Sequence, residues 1–330
     1  MPEFLIKLRR TEVNIMSITL SVVIPSYNRS SVLLNTIQQL LDQSVSPLEI
    51  VVVDQTRYAN SCPHAKTLST LREQGKIRWL RQSEPSIPKA MNMGLLEAKG
   101  NRVLFLDDDI EVDKNFIAHH ILFLETKQSL AHVGQIVQPW QKPNQSSNPY
   151  TKQPAVSLEG DMEFAFNSSE EAHIQNCMAG NLCVDRGSAL SVGGFDERFS
   201  GAAYRFESEF CKRFCKVLNT RFMYAPRPIL YHLHLSTGGT RAHANHLTSA
   251  SSIHSFGDYY FAFMHGVGLE RAKYMLKRLC FCWVAKFYLH KPWYVPVRIL
   301  GESKGLFRAY RAYRDGQQLI SPQLGTANNE

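Results

Sequence analysis

From Thr19 onward, short β-branched runs alternate with longer amphipathic stretches, and a chain with that alternation is confined to a sheet flanked by helices. Leu20 to Ile24 reads as a first strand, Ser31 to Leu41 as a helix, and Glu49 to Val53 as a second strand ending at Asp54. A further helix, a strand at Ile77 to Leu80, a helix from Lys89 to Ala98 and a strand at Val103 to Leu106 follow. The expected fold class is α/β, and ligands of open α/β sheets bind beyond the carboxyl ends of the strands. At one such end the run VLFLDDDIEV delivers Asp107, Asp108 and Asp109. Three adjacent anions repel one another unless solvent or a cation intervenes, and an oxygen-rich cluster of this kind suits Mg²⁺ or Mn²⁺. The plainer reading is an acidic turn capping a helix that starts at Asp113. The triplet by itself leaves both open.

Past the triplet the regularity fades. A strand at His132 to Gln138 leads into PWQKPNQSSNPYTKQPAVSLEG, a long loop that reads equally as a lid or as a surface excursion. Asn144 and Asn167 lie in N-x-S triplets, taken as chance matches. From Asn176 a second block runs GNLCVDRGSALSVGGFDERF, then a helix through YRFESEFCKRFCKVL, then strands RFMYA and PILYHLHL. This divides the chain into a tail at 1–18, with Met16 as an alternative start, a domain at 19–235, and a helical region at 236–330. Helices in that last region are expected at Ser249 to Met264, Leu269 to Tyr288 and Tyr294 to Asp315.

A formal net charge of +8 favours an anionic partner: a nucleotide diphosphate, a lipid surface or nucleic acid. The basic residues follow no nucleic-acid-binding motif, which disfavours the last. Seven cysteines without paired C-x-x-C motifs read as reduced thiols, and Cys280 and Cys282 lack the second pair that a zinc site needs. The basic N-terminus precedes an apolar run that is short and stops at Pro25, unlike a signal peptide, so a cytoplasmic protein is expected. No run approaches the roughly eighteen apolar residues of a spanning helix. From Leu269 on, lysines and arginines interleave with aromatic and aliphatic residues. Peripheral contact with an anionic membrane at its cytoplasmic face and packing against the domain both fit that pattern.

In order along the chain, SVVIPSYNRS, EIVVVDQT, SIPKAMNMGLLEAKGNRVLFLDDD, GGFDERF and FESEFCKR resemble the motifs of the family 2 glycosyltransferases, from Leu20 to His234. The resemblance is to the non-processive rhamnosyl-, galactosyl- and glucosyltransferase kind. It implies the GT-A fold, a Rossmann-like mixed sheet, here with a C-terminal helical extension. Its matched positions imply a nucleotide site at Pro25, Tyr27, Asn28, Arg29, Asp54, Asn92 and Asp107, with Asp54 on the base. They imply metal ligation by Asp109 and His232, acceptor contacts at Gly194, Phe195 and Asp196, and a catalytic base at Glu207, with Glu209 in reserve. Apart from the resemblance, STGGTR reads equally as lending Arg241 to the phosphates or as a flexible linker into the helical tail. Asp108, on the opposite side of the strand from its neighbours, is left a structural role. The implied reaction is inverting, metal-assisted transfer of a sugar from a nucleotide-diphosphate donor, UDP-linked for preference. Its acceptor would be a hydroxyl of a saccharide or lipid-linked oligosaccharide in cell-surface glycan assembly. The sequence departs from the family at Phe206, where an acid is usual, and this admits a non-catalytic nucleotide-sugar-binding or scaffold protein as the rival. A processive synthase is disfavoured because Q-x-x-R-W is missing, and a nucleotidyltransferase because SVVIPSYNRS is no Gly-rich phosphate loop.

Overall fold

The computed structural model describes residues 17–58, 62–144, 158, 164–235, 238–239, 247–284 and 286–321. Four parallel strands form one half of the sheet: β1 (Leu20–Ser26), β2 (Glu49–Asp54), β3 (Arg78–Arg81) and β4 (Arg102–Leu106). They lie in the order β3-β2-β1-β4, crossed by α1 (Ser30–Leu41), α2 (Pro63–Glu73) and α3 (Ile87–Glu97). The β-branched runs Val22 to Ile24 and Val51 to Val53 are buried on both faces, as parallel strands covered by helices must be.

After β4 the sheet becomes mixed. It continues through β8 (Asn181–Asp185), β6 (Ala131–Val137), β9 (Phe222–His232) and the short edge strand β5 (Ile110–Val112). Strand β7 (Ala172–Ile174) pairs with β9, and α4 (Phe116–Lys127), α5 (Arg186–Ser191) and α6 (Phe206–Leu218) complete this half. RFMYA and PILYHLHL are one strand, not two. The Pro226–Pro228 stretch is absorbed as an irregularity in the pairing of β9 with β6, between Gly134 and Gln135. Asp113 does not cap a helix, because α4 begins only at Phe116 and the Asp113 carboxylate accepts the Asn115 N–H at 2.7 Å.

The C-terminal helices are more broken than their periodicity suggests. Ser249 to Met264 becomes a 3₁₀ turn at Ser252–His254 and α7 (Phe256–His265). Leu269 to Tyr288 divides into α8 (Gly268–Val284) and α9 (Lys286–His290), and α10 (Tyr294–Arg314) carries Pro296 in its first turn, where a missing N–H costs nothing. These helices are packed on the sheet domain. Asp258 of α7 pairs with Arg205 at 2.7 Å just before α6 and with Arg278 of α8, while buried Glu302 of α10 pairs with Arg278 and Arg298. The 1–16 tail, Met16 and Arg241 lie outside the described residues, as does most of the Pro- and Asn-rich loop.

A neutral histidine pair sits in the core, formed by His120 of α4 and His132 of β6 beside Asn181 of β8. Asn181 Nδ2 donates to the carbonyls of Gln135 and Pro228, so its Oδ1 is free to accept from His120 Nε2 at 3.0 Å. His120 Nδ1 must then accept from His132 Nε2 at 2.8 Å, which leaves His132 Nδ1 unprotonated and without a partner. Burial, resisted by Asn181, drives His120 down to about 3 and holds His132 well below the ordinary histidine range. The unfolded chain binds protons that the folded state refuses below pH 6.5. Stability should therefore be complete above that value and fall towards pH 3, by about 1.4 kcal/mol per pH unit for each ring at the steepest part. Urea unfolding as a function of pH should show this slope, and His132→Gln should flatten it by roughly half.

Candidate active site

A cavity of about 670 Å³ opens beyond the carboxyl ends of β1 and β4. Pro25 and Arg29 contribute from β1 and the turn after it, Asp107 and Asp109 from the turn after β4, Ala179 and Gly180 from the approach to β8, Glu207 from the first turn of α6, and His232 from the end of β9. A larger cavity of about 890 Å³ lies elsewhere, around Lys216, Asn219 and Arg221, and shares none of these residues.

The turn between β4 and β5 splits the acidic triplet. Asp108 turns inward, where it accepts from Ser26 Oγ at 2.7 Å and Arg29 Nη1 at 3.2 Å, and its carbonyl accepts from Thr36 Oγ1. Burial pushes its carboxyl up to about 6 against the pull of Ser26 and Arg29. Asp107 and Asp109 turn to the cavity. With His232 they offer one ligand atom each, all within 4.8 Å of one another. Asp107 approaches Gly180 so closely that a Cβ there would lie 2.4 Å from Oδ2.

The polarity of this cluster fits a divalent cation. Gln138 Oε1 only accepts, so the His232 Nδ1 at 3.1 Å carries the proton of the neutral ring and the Nε2 lone pair faces Asp109 Oδ1, 3.2 Å away. That buried carboxylate oxygen has no aligned hydrogen bond, although the ion-pair distance is short. Two lone pairs aimed at each other call for a proton or a metal between them. Burial opposes ionisation of Asp109, but His232, Arg29 at 2.9 Å and the Leu235 N–H outweigh it and hold the carboxyl below its usual range. His232 is desolvated too, yet Asp109 and Asp107 raise it above an ordinary histidine.

Glu207 and Glu209 stand two residues apart on α6 and so face opposite sides of the helix. Glu207 is half-buried on the cavity wall, with Oε1 fixed by the Ala179 N–H at 2.6 Å. Glu209 is fully buried and bound by both arms of Arg213 at 2.8 Å and by Gln317 Nε2 at 2.8 Å. Burial raises its pKa, but Arg213 and His265 prevail and bring it to about 2. The reserve base is therefore a structural ion pair. Phe206, where the family has an acid, is a core aromatic in tilted contact with Phe195.

Gly194, Phe195 and Asp196, expected on the acceptor side, do not line the cavity. Gly193 and Gly194 take φ of +86° and +63°, and side chains there would collide with Leu319 and Ile320. Phe195 is buried against Phe105, Phe206 and Phe210. Asp196 is buried, accepting from Tyr260 OH at 2.8 Å, the Arg198 N–H and the Gln318 N–H. Glu197 N donates to Gln318 O and Ile320 N to Gly193 O, so residues 317–320 form a strap along this loop. Asn92, assigned to the nucleotide, grips the same loop. Its amide pairs with both backbone groups of Phe195 at 2.8 Å and with Glu197 at 3.0 Å.

Asp54 does end β2, where Thr56 N–H, Trp79 Nε1 and Arg81 bind its carboxylate, but it does not line the cavity. Tyr27 and Asn28 shape the turn after β1, Tyr27 O accepting the Gly239 N–H and Asn28 N–H donating to Thr56 Oγ1. Sequence reasoning missed Gln138, Ala179 and Gly180, as well as the exposed rings of Trp140 and Tyr204 on the cavity wall. The small-residue run Ala179–Gly180 before an apolar strand was the available signal.

The glycosyl transferase family 2 model matches residues 21–188, half of the chain. The chain belongs to that family. It is 33% identical over 110 residues to the amylovoran biosynthesis glycosyltransferase AmsB of Erwinia amylovora, covering 33% of this chain and 36% of that one. It is 31% identical over 118 residues to the GalNAc(5)-diNAcBac-PP-undecaprenol β-1,3-glucosyltransferase of Campylobacter jejuni, covering 34% and 36%. The matches thus span about a third of these relatives' lengths. The fold is similar to that of S. aureus TarS 1–349 in complex with UDP-GlcNAc, with TM-score 0.54 at 17% identity over 91% of this chain and 92% of that one. The family 2 chain accordingly has the GT-A architecture, a mixed sheet with C-terminal helices added.

The two glutamates of α6 should separate cleanly in unfolding experiments. Glu209→Gln leaves Arg213 buried without its counter-charge and should cost about 3–5 kcal/mol. Glu207→Gln keeps an acceptor for Ala179 and should cost under about 1 kcal/mol. Glu209 stabilises fully above its unfolded pKa of 4.5 and loses that contribution as pH falls towards about 2, so the variant should lack this acid limb of the urea midpoint.

Proposed function

We propose that this family 2 protein is an inverting glycosyltransferase that moves a sugar from a UDP-sugar to a hydroxyl of a saccharide or lipid-linked acceptor. The observation that carries the reading is the meeting of Asp107, Asp109 and His232 in the cavity that Glu207 also lines. A bound Mg²⁺ or Mn²⁺, held by these three side chains, would offset the charge that develops on the departing diphosphate. Arg29, beside Asp109 at the same wall, adds a fixed positive charge near the leaving group. Glu207 takes the proton of the acceptor hydroxyl as its oxygen attacks the anomeric carbon, and a single carboxylate suffices for one displacement with inversion. The Ala179 N–H holds one oxygen of that carboxylate in place.

Trp140, 70% exposed, and Tyr204 line the same cavity, and their apolar faces offer stacking surfaces for a pyranose acceptor. Amylovoran synthesis and an undecaprenol-diphosphate-linked substrate in the names of two relatives support cell-surface polysaccharide or glycan assembly. The UDP-GlcNAc bound in the TarS structure supports the uridine donor. A lipid-linked acceptor would bring the enzyme to the cytoplasmic face of a membrane. Loss of the family's acid at Phe206 does not favour a non-catalytic protein, because that position has become core while Glu207 keeps its place in the cleft.

Release of UDP from a panel of UDP-sugars, with and without acceptor, tests the assignment. Glu207→Gln should lower kcat for transfer by about 10²–10⁴-fold with UDP affinity retained. Full transfer by that variant would remove Glu207 as the base. Titration of UDP by calorimetry should show binding that needs Mg²⁺ or Mn²⁺ and is lost in Asp109→Asn. Equal affinity in the presence of a chelator would rule out the metal.

A further inference from the structure

The cationic, aromatic C-terminal region divides in the structure into residues that pack and residues that do not. Tyr274, Tyr288 and Ala309 are buried against the rest of the protein, and Tyr288 spends its hydroxyl on the Leu247 carbonyl. Leu289, Trp293, Leu300 and Phe307 are each at least half exposed, and Ile299 beside them is 37% exposed. On α10, Ile299, Leu300 and Phe307 recur at helical spacing on its outer side, and the chain reverses into them through Leu289 and Trp293. The elbow between α9 and α10 holds a groove of about 780 Å³ whose wall is apolar from Tyr288 to Leu300, with Ser303 at its end.

Charge on this face is predominantly of one sign, with exposed Asp315 at the far end of α10 lying 3.9 Å from Arg198. Between Lys286 and Arg314 the exposed charged residues are Lys286, Lys291, Lys304, Arg308, Arg311 and Arg314. The sole acid in that span, Glu302, is fully buried and paired with Arg278 and Arg298. A second copy of the chain docked here would set cations against cations. An anionic bilayer satisfies both features at once, because apolar side chains enter the acyl boundary while lysines and arginines meet the headgroups. Among the described residues no helix is long and apolar enough to cross a membrane, so the contact is one of lying on the surface.

We infer that the α9–α10 elbow, with Leu289, Trp293, Ile299, Leu300 and Phe307 as its apolar contacts, docks the protein onto an anionic lipid surface. The inference deepens the lipid-linked acceptor reading, yet it concerns binding and is tested apart from transfer. Flotation of the full chain with phosphatidylcholine vesicles, with or without phosphatidylglycerol, is the measurement. The protein should float with the phosphatidylglycerol vesicles at low salt and much less at high salt or with phosphatidylcholine alone. The paired substitutions Trp293→Ser with Phe307→Ser, and separately Lys291→Glu with Arg311→Glu, should each weaken binding about tenfold or more. UDP-sugar hydrolysis without lipid should stay at wild-type level in both pairs, which separates loss of docking from loss of fold and from failure of the enzymatic reading. Equal flotation of wild type and variants, or no flotation of the wild type, would overturn the inference. So would a lipid-free dimer, seen by light scattering, that the same substitutions dissolve.

Discussion

Three carboxylates in succession at the end of a buried strand are the constraint around which this protein is arranged. Two unit charges 4 Å apart at an effective dielectric constant near 20 repel by roughly 4 kcal/mol, so the triplet cannot stand as a bare cluster. The bend between β4 and β5 sends Asp108 one way and its neighbours the other, and a different answer serves each side. Arg29 and Ser26 receive Asp108 in the interior. On the cavity side, β5 leaves the triplet and pairs Ile110 with His232, so that the imidazole is carried to Asp107 and Asp109. The Leu233 and Leu235 N–H groups close on the carbonyl and carboxylate of Asp109. The irregular antiparallel half of the sheet is thus the device that completes the end of β4.

A second arrangement fixes α6 against that site. The loop at 193–197 is gripped by Asn92 from α3, by Arg213 through the Gly194 carbonyl, and by the row of rings that runs edge-to-face from Phe105 to Phe195 and tilted from Phe195 to Phe210. Phe105 belongs to the strand that carries the acidic triplet. This row of rings therefore links the strand that precedes the carboxylates to the helix that bears Glu207, and the two walls of the cavity share one packed core.

Much of the frame was legible because hydrophobic period and strand-end polarity are local properties. The first four strands and their order of appearance follow from such patterns, whereas the inward turn of Asp108 is set by the bend between β4 and β5, where strand geometry no longer holds. Motif order carries position along the chain and not direction in space. Asn92, Phe195 and Asp196 lie where a nucleotide and acceptor site would be expected, yet each is turned into the loop that α3 and the C-terminal strap hold. Glu207 and Glu209 were ambiguous because two residues of sequence separation reverse the facing on a helix, and only the partners Ala179 and Arg213 tell which is which. The His120–His132 pair was invisible, since its tautomers depend on Asn181, a residue brought beside it by the fold.

The strap at 317–320 has a consequence for the order in which the protein is made. Asp196 receives its Gln318 N–H from 122 positions further along the chain, and Glu209 its Gln317 amide from 108. While a ribosome is still extending the helices, the loop and helix that frame the cleft have buried polar groups awaiting donors that do not yet exist. The half built on β1 to β4 can collapse early around its sheet. Its final geometry comes late, when the last turns of the C-terminal region emerge and lie down across it.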